Sequence, residues 1–207
     1  MSAEHPVDTD PPNSETSQIA HLAALAQSGD RGAFHRLADR FQAEIFRMIF
    51  YRVRSKMDAE DLTQDVFFKA FRSIKQLRSP KRFKSWLYRI AVNRVRDYHR
   101  RNAFKAMFSF IAVDDPDFLE PEEMAVAPEV AERIDQRAFW QQINHMLDEL
   151  SKMEKEAFLL RFFDGLTIKE IGAVMKKNES TVKTHLYRAL AKMKGAAARL
   201  DEAMEVL

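Results

Sequence analysis

Apolar side chains recur every three or four residues along most of this chain, the spacing that places them on one face of an α-helix. In the N-terminal half this pattern predicts four helices, over residues 17–27, 31–54, 58–71 and 83–101. Gly29 ends the first helix, Asp30 caps the second and Asp58 caps the third. The second helix directs a continuous apolar row inward, formed by Phe34, Leu37, Phe41, Ile45, Met48 and Ile49.

A second group of amphipathic segments occupies the C-terminal end of the chain. Residues 134–150 and 153–163 predict two supporting helices. Thr167 is a good N-cap residue, and Glu170 three positions later completes a capping box, so a short helix begins here. Two short amphipathic helices joined by a tight polar turn pack against each other, which predicts a helix-turn-helix. After the turn, the second of these helices buries Val182, Leu186, Ala189, Leu190 and Met193.

The opposite side of that second helix is polar and neutral to basic. A recognition helix presents the N-terminal half of this side to base edges in the major groove of DNA. A solvated helical hairpin in an α-bundle is the alternative, but the capping, the spacing and the charge together favour DNA binding. The outward residues are Ser180, Thr181, Lys183, Thr184, Tyr187 and Arg188.

The predicted third helix carries acidic and amide side chains along one side, three and four residues apart. Acids in a first turn also suit the helix dipole, so a capping role is the alternative interpretation. Capping does not explain why an acidic stripe ends in a phenylalanine within an otherwise basic region. We therefore predict a surface that binds a basic partner protein, formed by Asp61, Gln64, Asp65 and Phe68.

Positive charge dominates residues 72–101, which hold eleven basic side chains and one acid, Asp97. Residues 74–83 are predicted to form a loop with a turn at Ser79-Pro80. The cations predicted to be exposed there are Lys75, Arg78, Lys81, Arg82 and Lys84. Across residues 72–101, aromatic residues are interleaved with arginines, and this suits single-stranded nucleic acid because bases stack on rings while phosphates meet cations. The alternative for Trp86 and Tyr88 is a role in the core, which we favour for Trp86. A merely solvated basic face is disfavoured because unpaired like charges repel one another.

Composition limits the class of protein. A chain of 207 residues suggests one or two domains, and five glycines argue against a loop-rich or all-β protein. From these limits and the helical pattern, we predict an all-α protein of two small helical domains joined by a flexible acidic linker. With no cysteine, disulfides and thiolate chemistry are excluded. The histidines are scattered and the acids lack metal-ligand spacing, so we predict no catalytic residue, metal, cofactor or small-molecule substrate. No apolar run approaches the roughly 18 residues of a membrane span, so we expect a cytoplasmic protein without membrane insertion.

The net charge of +2 is unevenly distributed. Residues 31–102 hold nineteen bases and seven acids, whereas residues 103–135 hold two bases and nine acids. The basic region suits a polyanion, and the acidic one has the composition of a tether, either inert or carrying a short apolar anchor. The predicted organisation is a disordered tail (1–17), an N-terminal domain (18–102), the acidic linker (103–133), a C-terminal domain (134–200) and a short tail (201–207).

Three motifs along the chain resemble those of group IV (extracytoplasmic-function) sigma factors. This group belongs to the sigma-70 family, whose members are subunits of bacterial RNA polymerase. They read DAEDLTQDVF at residues 58–67, FKSWLYRIAVN at 83–93 and DGLTIKEI at 164–171. A lone helix-turn-helix is a weak signal, but three motifs in the family's order and spacing are specific. The resemblance implies that the N-terminal domain is sigma region 2 and the C-terminal domain is sigma region 4.

The family's function is to bind core RNA polymerase and direct promoter-specific transcription initiation. The implied partners are core polymerase (its β′ clamp helices and β flap), promoter DNA in double-stranded and melted form, and an anti-sigma factor. The acidic stripe would dock on the clamp helices, and the linker would thread toward the polymerase active centre. Asn93 would line a pocket for a flipped minus-ten base, and the loop of residues 75–84 would help to read it.

The resemblance extends these roles to further side chains. The residues implied in minus-ten recognition and melting are Asn93, Lys75, Arg78, Lys81, Arg82, Lys84, Arg89, Arg94, Arg96, Arg100 and Arg101. The residues implied in or near minus-thirty-five recognition are Ser180, Thr181, Lys183, Thr184, His185, Tyr187 and Arg188.

Two positions depart from the family pattern, and one rival function remains. Ser79-Pro80 replaces a glycine common in the base-reading loop, which leaves the loop's shape and base preference open, and Ser151 replaces a common proline. The rival is an autonomous helix-turn-helix transcription regulator with a sensory N-terminal half. It would predict a ligand pocket and would leave the acidic stripe and the basic helix unexplained.

Overall fold

The computed structural model describes residues 14–108, 143 and 145–205, and its regular elements within those ranges are all helical. The all-α prediction is therefore confirmed. The helices are α1 (Ser14–Gln27), α2 (Arg31–Val53), α3 (Lys56–Ser73), α4 (Phe83–Phe108), α5 (Lys152–Phe158), α6 (Ile168–Met175) and α7 (Glu179–Glu205). Residues 145–148 are also helical, and a π-helical turn, Leu159–Phe163, follows α5.

Helices α1 to α4 form the N-terminal domain, and α2 lies at its centre. Gly29 adopts a φ of 106°, which lets the chain leave α1 and reach Asp30, whose side chain accepts a hydrogen bond from the Ala33 amide at 2.9 Å. The six inward residues predicted for α2 are all buried, and Phe41 packs against Phe83 of α4 with ring centroids 5.6 Å apart. The residues that the apolar period of α2 placed inward therefore form this core, as predicted.

Several predicted boundaries were wrong. Helix α1 begins at Ser14 instead of residue 17, and α4 continues to Phe108, so residues 103–108 are helix and not linker. Helix α3 is capped by Ser55, whose Oγ accepts from the Asp58 amide at 3.3 Å, so Asp58 is not the cap. The rest of the predicted linker and most of the predicted helix 134–150 lie outside the described residues, as do residues 1–13. Residues 201–205 of the predicted C-terminal tail are helical and continue α7.

The C-terminal domain contains two short helices, α5 and α6, that begin with side-chain caps, followed by the long helix α7. Ser151 opens α5 with a reciprocal capping box to Glu154, and Thr167 opens α6 with the predicted box to Glu170. The turn after α6 passes close to Gly172, where a Cβ atom would lie 2.8 Å from the Lys177 carbonyl oxygen. Gly172 therefore allows the two helices of the helix-turn-helix to come together, and larger side chains would push the turn away.

The inner face of α7 is narrower than predicted. Val182, Leu186 and Ala189 are buried, as expected from the helical period. Leu190 is 42% exposed, so its assignment to the core was wrong. Residues 189 and 190 differ by about 100° around the helix, and only the first of them faces the rest of the domain.

The two domains pack against each other. Helix α6 lies on α4, and the buried residues Leu160, Leu166 and Ile171 belong to the same continuous apolar cluster as the core of α2, α3 and α4. A separate, smaller cluster inside the C-terminal domain contains Leu147, Leu150, Phe158, Leu159 and Ala189. Within the described residues, no helix has the length and apolar character needed to cross a membrane.

Candidate nucleic-acid and protein interfaces

An open groove runs between α3 and the end of α4, and it contains the predicted acidic stripe. Asp61, Gln64, Asp65 and Phe68 are all exposed, as the sequence pattern predicted, and Phe68 is 60% exposed. The other residues that line the groove are Asp58, Leu62, Tyr98 and Arg101. An apolar ring beside carboxylates on a rigid helix is suited to a protein partner that offers cations and an apolar contact.

Side-chain contacts hold the walls of this groove in place. The Tyr98 hydroxyl on α4 donates a 2.8 Å hydrogen bond to the Asp58 carboxylate on α3, so Asp58 joins the two helices. The Arg72 guanidinium lies 5.1 Å from the centroid of the Phe68 ring, one turn further along α3. Arg101 borders this groove, although its resemblance-based role was to hold DNA phosphates beside Asn93.

The basic side chains of α4 divide into two stripes. Arg89, Asn93, Arg96 and Arg100 are four, three and four residues apart, so they share one side of the helix. Asn93 and Arg96 on this stripe are exposed, and Arg100 also bonds Asp97 at 3.1 Å. Arg94 and Arg101 lie seven residues apart on the neighbouring stripe, the one that carries Tyr98 toward α3. The structure thus brings Asn93 together with three arginines and separates it from the other two.

The aromatic residues of α4 face inward. Trp86 is 8% exposed, which confirms its place in the core. Tyr88 is 1% exposed, so the suggestion that its ring stacks on bases does not fit this structure. Burial raises the pKa of Tyr88, with the Asp164 and Glu44 carboxylates adding to the effect.

The segment between α3 and α4 is more ordered than a plain loop. It contains two short 3₁₀ turns, Ile74–Gln76 and Pro80–Arg82. The Gln27 side-chain amide donates to the carbonyl oxygens of Ile74 at 3.2 Å and Leu77 at 2.5 Å, so α1 holds the segment from outside. Sequence reasoning missed this contact because Gln27 has no local pattern that points to residues 47 and 50 positions away.

The cations of this segment are largely available to a ligand. Lys75, Arg78, Lys81 and Arg82 are exposed, as predicted. Lys84, in the first turn of α4, was predicted to be exposed with them, and that was wrong, since it is only half-exposed. Its ammonium is 4.0 Å from the Glu44 carboxylate and 5.9 Å from the Tyr88 ring centroid, so those groups attract it toward the α2 side of the domain.

The N-terminal half of α7 presents the predicted polar side to solvent. Asn178 caps this helix by accepting from the Thr181 amide at 2.7 Å. Lys183, Tyr187 and Arg188 are exposed, Tyr187 to 71%, and Ser180 and Thr184 are exposed as well. Thr184 donates to the Ser180 carbonyl at 3.0 Å, so its hydroxyl hydrogen is used within the helix.

His185 differs from its neighbours on α7. The residue is half-buried, and its Nδ1 atom is buried with no hydrogen-bond partner among the described residues. Its ring therefore turns toward the protein and not toward the side that carries Lys183 and Arg188. Helical spacing shows why, since position 185 follows 184 by about 100° and lies next to the inner row.

Comparison with known proteins identifies both domains. Residues 37–105 match the family described as Sigma-70 region 2, and residues 140–193 match the family described as Sigma-70, region 4. The RNA polymerase sigma-H factor of Pseudomonas aeruginosa is 30% identical over 83% of this chain and 90% of its own length. The ECF RNA polymerase sigma factor BldN of Streptomyces coelicolor is 34% identical over 86% of this chain, which spans 65% of that relative.

A solved structure shows the same fold. The sigma factor RpoE in complex with the anti-sigma factor NepR, from Bartonella quintana, has a TM-score of 0.60 and 20% identity over 80% of this chain and 96% of that one. Two regions in the order of a sigma factor, each with its own family match, define the class. The chain belongs to the sigma-70 family of RNA polymerase sigma factors.

Proposed function

We propose that this protein binds core RNA polymerase and directs transcription initiation from specific promoters. The observation that carries the proposal is the arrangement of surfaces on rigid helices. One domain places an acidic, apolar-tipped groove on α3 beside a basic stripe on α4, and the other exposes a capped recognition helix. A promoter-reading subunit of a polymerase needs one protein-binding surface and two DNA-binding surfaces.

The α3 groove is the surface for the polymerase. Asp61, Gln64 and Asp65 supply hydrogen-bond acceptors on exposed helical turns, and Phe68 supplies an apolar anchor. Anchors of this kind at the centre of a contact contribute most of the affinity, while the surrounding polar groups set specificity. Arg101 sits in the same groove and would meet an acidic side chain of the partner.

The α4 stripe is the surface for the minus-ten element. Asn93 is the only amide among the arginines of its stripe, and a base edge needs a group that both donates and accepts. The arginines around it would hold backbone phosphates, which position the DNA without reading it. Extruding one base costs a few kcal/mol, and capture beside α4 would offset that cost and begin melting.

Helix α7 is the surface for the minus-thirty-five element. Lys183 and Arg188 can donate to guanine edges or phosphates, and Ser180, exposed in the first turn, would contact the DNA backbone. Each local contact is weak, but two DNA-reading domains on one chain raise each other's effective concentration. The polymerase supplies the catalysis, so the proposal requires no enzymatic step by this chain.

An anti-sigma factor is a further proposed partner. The related RpoE fold is known bound to one, and the exposed apolar side chains of this chain, Phe68 and Phe162 among them, are suited to such a contact. A protein that covered Phe68 would compete directly with the polymerase for the α3 groove. The identity of such a protein is not encoded in this chain.

The proposal is tested by promoter-dependent transcription with core polymerase. We expect Asp61→Arg combined with Gln64→Ala to weaken polymerase binding by about tenfold or more, because both residues lie in the proposed contact. Glu60→Arg is the matched control, since Glu60 is exposed on the same helix but outside the groove. Transcripts that start at the same sites with and without the protein would contradict the function, and equal binding by both variants would contradict the docking surface.

A further inference from the structure

The segment between α3 and α4 forms few hydrogen bonds of its own. The first of its 3₁₀ turns is closed by the Leu77 amide, which donates to the Ile74 carbonyl at 3.0 Å. The second is closed by the Arg82 amide, which donates to the Ser79 carbonyl at 2.9 Å. Neither turn begins with a side-chain cap among the described residues, and the backbone is extended at both Leu77 and Ser79. A segment with so few internal bonds depends on its neighbours for a fixed shape.

The Gln27 side chain, at the last residue of α1, bonds this segment from outside. Its Nε2 donates to the carbonyl oxygens of Ile74 and Leu77, at 3.2 Å and 2.5 Å. A carboxamide nitrogen carries two hydrogens, so the two bonds use its whole donor capacity. Both accepting residues are only 5% exposed, and the Leu77 oxygen has no other donor within the described residues. A buried carbonyl is costly to leave without a donor, so Gln27 is a specific anchor for the segment.

Apolar packing keeps α1 against the same segment. Ala23 and Ala26, close before Gln27 on α1, are 0% and 5% exposed. They belong to the same buried cluster as Ile74 and Leu77, and α1 contacts both 3₁₀ turns. Alanine side chains let the helix approach closely, which allows a side chain of glutamine length to reach two backbone carbonyls. The shape of the segment is therefore set by α1 as well as by the helices that it connects.

The anchored segment carries cations to the N-terminal end of α4. Its exposed basic side chains form no ion pair within the described residues, and they are Lys75, Arg78, Lys81 and Arg82. Exposed cations of this kind hold backbone phosphates and so fix the register of a bound strand. Helix α4 begins directly after the segment at Phe83, and Asn93 lies about 15 Å further along its axis. A shift of the segment would therefore shift a bound strand relative to Asn93.

We propose that Gln27 is a positioning residue for reading the minus-ten element. By holding the segment in one conformation, it determines which base is accepted beside Asn93, and it acts through the segment and not on DNA. Pro80 restricts the backbone at the start of the second turn, and Gln27 fixes the first. The anchoring follows from the contacts alone, whereas its consequence for base preference rests on the function proposed above.

Two variants of Gln27 keep the length of the side chain and remove its donors. Gln27→Met has no polar hydrogen, and ionised Gln27→Glu places an oxygen where the amide nitrogen was. Hydrogen exchange of the full chain should show the Leu77 amide exchanging about tenfold faster in both variants, because a buried carbonyl loses its donor and the segment opens more often. Ser28→Ala is the matched control at the next position, since the Ser28 hydroxyl donates only to the Leu25 carbonyl, at 2.7 Å.

Base preference separates positioning from general stability. Transcription by core polymerase from promoters randomised at minus ten should show a preference weakened by about fivefold or more in both Gln27 variants, the size of one lost base contact. The ranking of minus-thirty-five elements should not change. Ile49→Val trims a buried side chain of α2, so it should lower stability and leave the minus-ten preference as it is in the parent.

The outcomes are distinguishable. Unchanged exchange at Leu77 in both Gln27 variants overturns the anchoring, and faster exchange with an unchanged minus-ten preference overturns the positioning role. If one variant loses helix content by circular dichroism, the other decides the result. A parent that gives core polymerase no new start sites contradicts the function proposed above and with it the role in base reading, while exchange at Leu77 still decides whether Gln27 anchors the segment.

Discussion

The N-terminal domain has a core formed by side chains from its four helices. The C-terminal domain has only a small separate apolar cluster, and its short helices begin with side-chain caps. Ala33, Leu37, Ile45, Met48 and Ile49 of α2 are all at 0% exposure. In the other domain Ser151 and Thr167 form capping boxes, and much of the remaining apolar surface is covered by the N-terminal domain. One domain is therefore stabilised mainly by its own packing, and the other by local caps and by its neighbour.

The largest expected effect is in the core of the N-terminal domain. Phe41→Ala removes a ring that is 1% exposed and should lower the free energy of unfolding by about 3–5 kcal/mol. Urea denaturation followed by circular dichroism measures this change. Phe68→Ala removes the same ring type at 60% exposure and should cost about 0.5 kcal/mol or less. Equal losses for the two variants would contradict the division between core and groove.

A smaller effect is expected at the DNA-reading side of α7. Lys183→Ala or Arg188→Ala should cost about 1–3 kcal/mol for each lost base contact and relax the choice of upstream element. Selection of binding sites from a random duplex library gives the preference directly. His185→Ala should leave the ranking of sites unchanged, because its ring turns inward. A ranking altered by His185→Ala but not by Lys183→Ala would show that the reading side of the helix is assigned wrongly.

The Glu154 carboxylate of the C-terminal domain predicts how the stability of α5 changes at low pH. The Lys192 ammonium at 2.7 Å and the Ser151 amide at 2.9 Å lower the pKa of Glu154 to about 2. Since this value is below the ordinary 4.5, the stabilisation is complete above pH 4.5 and is lost as the pH falls toward 2. Hydrogen exchange should therefore show α5 losing protection in that range in the parent but less steeply in Glu154→Gln.

The control for the acid prediction lies in the other domain. Glu60 on α3 is exposed, so Glu60→Gln should leave the acid response of α5 as it is in the parent. Should α5 keep full protection down to pH 2 in the parent, the role given to Glu154 would be wrong.

The smallest expected effect is at the cap of the helix-turn-helix. Thr167→Ala removes the acceptor of the Glu170 amide and should destabilise α6 by about 1 kcal/mol. Thr167→Ser keeps that acceptor and should restore most of the loss. Thermal unfolding of the two variants measures the difference, and a serine variant as unstable as the alanine variant would show that the methyl group matters more than the cap.

Features that depend on a few neighbouring residues could be predicted from the sequence. The Asp30 cap and the Thr167–Glu170 box join residues three positions apart, and the inward row of α2 repeats every three or four residues, so period and residue type were sufficient. The exposed stripe from Asp61 to Phe68 followed from the same period. The three family motifs could also be recognised from the sequence, because their residues and their order along the chain can be read without knowledge of packing.

Where the sequence allowed two choices of cap residue or of side-chain position, the tertiary structure decided between them. Ser55 and Asp58 are both good caps, and Asp58 instead accepts from Tyr98, 40 residues away on α4. Lys84 faces Glu44 of α2 because α4 packs beside that helix, so a basic pattern alone misplaced it. The sequence pattern could not distinguish these options because each was compatible with the local helical period.

By itself, the sequence determined the all-α class, the order of the two domains, the caps at Asp30 and Thr167 and the polar side of the recognition helix. Only the tertiary structure decided that Arg52, one of 33 lysines and arginines in the chain, would be buried. Nothing near Arg52 in the sequence distinguishes it from Arg47 or Arg54. Its burial becomes tolerable only where folding brings two carboxylates from more than 100 residues away to within 3 Å, because a buried charge needs partners that local sequence cannot supply.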